Sequence, residues 1–120
     1  MLKFMSLISS LLALLSCAKG GAWKDLDVDG FAAAADQKGA VALDVRTPEE
    51  YAAGHIPGSL NIPLAALPAR CNELGAPDTP LFVHCLSGGR SGQAVRFLKS
   101  VGFTNVKNIG GINAYRGKVE

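Results

Sequence analysis

Leu81-Phe82-Val83-His84-Cys85-Leu86-Ser87-Gly88-Gly89-Arg90-Ser91 is the stretch on which the reading of this chain turns. Leu81 to His84 is a short apolar run, the pattern of a buried strand. Cys85 follows at the strand's end, and Gly88 and Gly89 then permit φ > 0 and a close backbone approach. From Ser91 to Val101 the pattern is helical. Strand end, tight loop and helix start together aim backbone N–H groups and a helix N-terminus at one sulfur. Both favour a thiolate, so the chain reads as one that uses Cys85 as a nucleophile.

Outward from that stretch, strands and helices alternate. Asp29 to Lys38 is alanine-rich and helical, with Gly39 as its stop. Val41 to Val45 is an apolar run too short for a helix, hence a strand. Thr47 is placed as an N-cap, with Pro48 at the first helical position and Glu50 at the capping-box position, and Gly54 closes that helix. His55 to Gly58 turns into a brief strand over 59–62. A helix is predicted from Leu64 to Leu74, with Pro68 either weakening its middle or marking its true start. A last strand runs from Asn105 to Ile109. This alternation predicts an α/β fold: a parallel sheet covered by helices on both faces. In such sheets ligands bind beyond the carboxyl ends of the strands, where Cys85 and the Asp44-Val45-Arg46 turn both fall.

The first eighteen residues read as an export signal rather than part of the fold. Lys3 is followed by an apolar stretch from Leu7 to Leu15, shorter than the roughly 20 residues of a membrane span. Ser16-Cys17-Ala18 suits ordinary cleavage, giving a soluble periplasmic chain from Lys19. Leu14-Leu15-Ser16-Cys17 also resembles a bacterial lipoprotein signal, in which Cys17 would be lipidated and tether the protein to a membrane. Residues 19–120 then form one domain. The formal net charge of the whole chain is +2, and no basic block occurs, which argues against a nucleic-acid partner. Beyond Cys17 the cysteines are Cys71 and Cys85 alone, so a disulfide framework is not on offer. No Cys-x-x-Cys pair occurs, and neither His55 nor His84 has a helical partner histidine; no metal or cofactor is expected.

Leu43-Asp44-Val45-Arg46-Thr47-Pro48-Glu49-Glu50-Tyr51 and Gly54-His55-Ile56-Pro57-Gly58-Ser59-Leu60-Asn61-Ile62-Pro63 together resemble the first signature of the rhodanese family. Cys85 to Ser91 is similar to its active-site loop. Gly102-Phe103 and Gly110-Gly111-Ile112 match its C-terminal landmarks, with Tyr115 where tryptophan is frequent. The resemblance covers residues 23–117. It implies a five-stranded parallel sheet flanked by helices, and sulfane-sulfur transfer through a persulfide on Cys85.

On that resemblance, Cys85 takes sulfur from a small anion such as thiosulfate and passes it to cyanide, a thiol or a protein acceptor. The loop Leu86, Ser87, Gly88, Gly89, Arg90 and Ser91 would cradle the persulfide. Arg90 either attracts the anionic donor or braces the loop to a carboxylate such as Asp44. Ser91 either donates its hydroxyl or caps the following helix, the cap being the favoured reading. Asp44 and Arg46 would brace the loop region from beside it. His84 is expected to point away from its neighbour Cys85, since adjacent strand residues face opposite sides. His55 reads as a hydrogen-bonding turn residue, Cys71 as a small core filler and Trp23 as packing on the sheet edge.

Related phosphatases and arsenate reductases place five residues between cysteine and arginine. Here Leu86, Ser87, Gly88 and Gly89 alone intervene, a smaller cradle that suits one sulfur atom. The main alternative is a persulfide carrier that hands sulfur to a partner protein without useful free turnover.

Overall fold

The computed structural model describes residues 38–120. The expectations for the leader, Cys17, Trp23 and the helix from Asp29 lie outside the described residues. Within the described residues one parallel sheet has the order β2-β1-β3-β4. Its strands are β1 (Val41–Asp44), β2 (Leu60–Asn61), β3 (Leu81–Cys85) and β4 (Val106–Gly111). Leu43 pairs with both Leu60 and Val83, and Asp44 with Asn61 and His84. The five strands expected from the resemblance differ from this: the residues offered four strand-like runs, and the described residues form four strands.

The helices are α1 (Pro48–Ala53), α2 (Leu67–Arg70) and α3 (Gly89–Ser100). α1 starts at a complete capping box: Thr47 Oγ1 accepts the Glu50 N–H, and Glu50 Oε1 accepts the Thr47 N–H at 2.9 Å. The continuous helix expected over 64–74 is broken. Single turns of 3-10 helix, Leu64–Ala66 and Cys71–Leu74, flank the short α2. Pro68 falls in the first turn of α2, where its missing N–H costs no hydrogen bond; further along a helix it would.

β3 is buried along its whole length, and α3 lays Ala94 and Leu98, one helical turn apart, into the core against β3 and β4. Leu43, Val45, Ile62, Leu67, Leu81 and Val83 are among the residues that share that core, with Cys71 half-buried against it. Each such side chain adds about 1.5–3 kcal/mol of burial free energy. A β3 held this firmly fixes where its last residue, Cys85, ends up.

The carboxyl end of β1 carries a buried ionic cluster. Asp44 accepts the Arg46 backbone N–H at 2.9 Å, Arg46 Nε at 3.1 Å and Arg46 Nη2 at 2.8 Å, and His84 Nε2 lies 3.5 Å from Asp44 Oδ2. Arg46 Nη2 also donates to the Gly54 carbonyl at 2.8 Å, tying the end of α1 to the sheet. Burial pushes the Asp44 carboxyl up, but His84 and Arg46 outweigh it and hold it at about 2. Asp44 therefore stabilises the fold fully above its ordinary value of 3.8, and loses that contribution as pH falls through about 2. Asp44→Asn, which leaves Arg46 buried without its anion, is expected to cost about 3–5 kcal/mol at neutral pH. Urea melts of the two proteins as a function of pH should show the gap closing below about pH 4.

Candidate active site

Cys85 is the last residue of β3 and is 1 % exposed. Past it the chain must turn sharply, and Gly88 makes the turn in the left-handed region at φ +111. That lets α3 begin at Gly89, two residues earlier than its apolar pattern indicated. Ser91 therefore lies inside the first turn, and the position before the helix is taken by Gly88, which corrects the reading of Ser91 as the cap. Gly89 is corrected as well: it is not among the positive-φ glycines, and a Cβ there would meet nothing within 4 Å.

Gly88 and Ser91 bring polar groups to the sulfur. The Gly88 N–H donates to Cys85 Sγ at 3.1 Å, the Ser91 N–H at 3.4 Å, and the Ser91 hydroxyl lies 3.5 Å away. The Ser91 N–H is one of the four donors that a helix start leaves without an intrahelical partner, so the sulfur occupies the positive end of α3. Burial raises the Cys85 thiol pKa; the Ser91 hydroxyl and the N–H groups of Ser91, Gly88 and Ser87 outweigh that and lower it overall. The site thus favours a sulfur anion.

Sequence reasoning missed Asn108 on β4. Its Oδ1 accepts the Ser91 hydroxyl at 2.7 Å and the Gly110 N–H at 3.0 Å, while Nδ2 donates to the Gly88 carbonyl at 3.2 Å. One amide thereby holds both Gly88 and Ser91, whose N–H groups donate to the sulfur. An asparagine in the middle of a strand was the available signal, since that residue is depleted there. The end of β4 braces the loop from a second point: Gly111 pairs with Cys85, and the Asn113 N–H donates to the Leu86 carbonyl at 3.1 Å. Leu86 itself is 45 % exposed beside the buried sulfur.

Arg90 pairs with Glu50, not with Asp44. Its Nη1 and Nη2 lie 2.7 and 3.1 Å from Glu50 Oε1 and Oε2, each side chain about one-third exposed. Asp44 is already engaged by Arg46 and His84, which leaves Glu50, projecting from α1, to meet the loop arginine. Hydrogen bonding to Arg90 holds Glu50 at about 2, and the charge of Arg90 is felt by both Cys85 and Asp44. His84, wholly buried, faces Asp44 rather than the sulfur. His55 Nδ1 lies 2.9 Å from the Tyr51 carbonyl, and its ring stacks on Tyr51 with centroids 3.7 Å apart. Among the described residues no group of three or more His, Cys, Asp or Glu could hold a metal ion.

A buried thiol at a strand end, ringed by loop N–H groups in a parallel α/β fold, defines the class. The chain belongs to the rhodanese-like domain family, whose model matches residues 27–118. It is 40 % identical over 72 residues to the thiosulfate sulfurtransferase PspE of Escherichia coli, covering 58 % of this chain and 68 % of that one. It is 44 % identical over 79 residues to YrkF of Bacillus subtilis, whose name gives it provisionally as a sulfur carrier, covering 65 % of this chain. The chain spans less than two thirds of two of its Bacillus subtilis relatives, 62 % of YqhL and 42 % of YrkF. A solved structure of an Escherichia coli rhodanese with anions aligns with a TM-score of 0.62 and 33 % identity, covering 67 % of this chain and 95 % of that one.

Gly111 offers a direct test of the loop's bracing. A Cβ there would collide with the backbone of Leu86 and Ser87, and backbone cannot yield as a flexible side chain can. Gly111→Ala is expected to destabilise the protein by about 1–3 kcal/mol. It should also return the Cys85 thiol toward its ordinary range, read from the pH dependence of its alkylation.

Proposed function

We propose that the protein is a sulfurtransferase that carries sulfane sulfur on Cys85. The observation that carries this reading is a wholly buried thiol that accepts from two backbone N–H groups placed to stabilise a sulfur anion. The named activity of PspE supports it.

In the first half-reaction the Cys85 thiolate attacks the outer sulfur of a donor such as thiosulfate. The new S–S bond takes that sulfur, and the donor's S–S bond breaks with its electron pair leaving on sulfite. Charge is conserved: thiolate plus dianion become persulfide anion plus sulfite dianion. The terminal sulfur of the persulfide lies among the loop residues Leu86 to Ser91, with Gly88 and Ser91 holding the inner sulfur. Cyanide or a thiolate then attacks that terminal sulfur, and the pair from the broken bond restores the Cys85 thiolate. Arg90, held by Glu50, orders the loop and is electrostatically coupled to the Cys85 sulfur. Asp44 and Arg46 act at one remove, fixing the β1 end and α1, and so the position of Glu50 and Arg90.

The second reading is a carrier that delivers its persulfide to a partner protein, favoured by the exposed Leu86 at the mouth of the site and by the name of YrkF. Cys85→Ser is expected to abolish thiosulfate:cyanide transfer and the gain of about 32 Da, one sulfur atom, on donor treatment. Cys71→Ser should retain most of both, since Cys71 packs at the core's margin. Turnover supports the enzyme, a stable adduct with negligible turnover supports the carrier, and activity that follows Cys71 instead rejects both.

The leader extends the proposal to the periplasm, with Cys17 either removed or lipidated. N-terminal mass spectrometry of the protein expressed in a bacterium is expected to find either diacylglyceryl-cysteine at Cys17 or a free Lys19. An intact leader on cytoplasmic protein rejects export.

A further inference from the structure

Glu50 joins two structures that the loop chemistry needs. Its Oε1 accepts the Thr47 N–H at 2.9 Å, closing the cap of α1, and the same carboxylate meets both terminal nitrogens of Arg90 at 2.7 and 3.1 Å. Arg90 is the only cation in the Cys85–Ser91 loop, and its charge reaches the Cys85 sulfur. Asp44 also lies within the field of Arg90, but Arg46 already balances it.

We propose that Glu50 is a specificity-determining positioning residue: it holds the Arg90 guanidinium and offsets its charge at the sulfur, so that the site disfavours small dianionic donors relative to sulfane sulfur carried on an uncharged group or a thiol. This rests on the sulfurtransferase reading and refines its substrate class. A bare loop arginine would draw any small anion toward the nucleophile. Paired with a carboxylate, it still orders the loop but adds little net field. Glu50 is held well below the ordinary carboxyl range, so the pair stays ionised at every pH at which a thiolate is useful. Because both side chains are about one-third exposed, solvent and salt screen the effect and keep it modest.

Glu50→Gln separates charge from structure. Glutamine serves the capping-box position as glutamate does and can still accept from Arg90, so the fold is kept while the negative charge is removed. The test is alkylation of Cys85 in the full chain by anionic iodoacetate and by neutral iodoacetamide, followed by mass spectrometry on the peptide carrying Cys85. The ratio of the two rates cancels changes in thiolate fraction and in access, so a purely structural role would not move it.

Glu50→Gln is expected to raise the iodoacetate-to-iodoacetamide ratio about two- to fivefold at low salt. The gain should shrink as salt rises, and KM for thiosulfate should fall by a similar factor with kcat moving less. Glu50→Asp, which disturbs the contact but keeps the charge, should stay near the parent ratio. An unchanged or lowered ratio in Glu50→Gln overturns the proposal, as does an equal rise in Glu50→Asp. Alkylation needs no sulfur transfer, so a failure of the sulfurtransferase reading would show separately, as absent turnover with the ratio still measurable.

Discussion

A sulfur anion buried to 1 % exposure has to be met by hydrogen-bond donors, and that requirement organises the loop. Desolvation alone would keep the thiol protonated. The fold answers with donors that need no side-chain charge: the Gly88 and Ser91 N–H groups, one from a left-handed turn and one from the open end of α3. Backbone donors at a rigid helix start lose little entropy when they meet the sulfur.

Rigidity behind the cradle comes from neighbouring strands rather than from the loop itself. Asn108 ties the Gly88 carbonyl and the Ser91 hydroxyl to β4, and Gly111 lets the β4 end approach Leu86 and Ser87 without a side chain between them. On the other flank, Asp44, Arg46 and His84 lock the end of β1, and Arg46 reaches the Gly54 carbonyl to position α1. From α1 the carboxylate of Glu50 closes the circle on Arg90. The loop is thus held from two sides, by neutral hydrogen bonds from β4 and by ionic contacts from β1 and α1.

That division bears on chemistry. Under the proposed function, the neutral side governs how well a sulfur anion is held and the ionic side which anions are drawn in. A family fold shared by sulfurtransferases and carriers can vary the second without disturbing the first, because the contacts run through different elements. Here the loop cation comes with its own counter-charge, the carboxylate of Glu50.

Much of this was legible in local sequence. Short apolar runs place β1 and β3, and Thr47, Pro48 and Glu50 spell the start of α1; Cys85 stands ahead of a glycine turn, as the sequence indicates. Each depends on neighbours within a few residues, where periodicity and capping chemistry act. What the tertiary structure alone decided are the contacts between residues far apart in the chain. Arg90 could have met either Asp44 or Glu50; the nearby Arg46 and the sheet partner His84 already occupy Asp44, and that leaves Glu50. Ser91 read as a cap until Gly88 took the turn and drew the hydroxyl inward toward Asn108. Asn108 stood out locally only as a residue depleted in strands, and its partners are brought to it only when β4 aligns beside β3. Sequence spacing specifies which backbone groups can turn and cap; which side chain meets which charge is settled by the register of parallel strands.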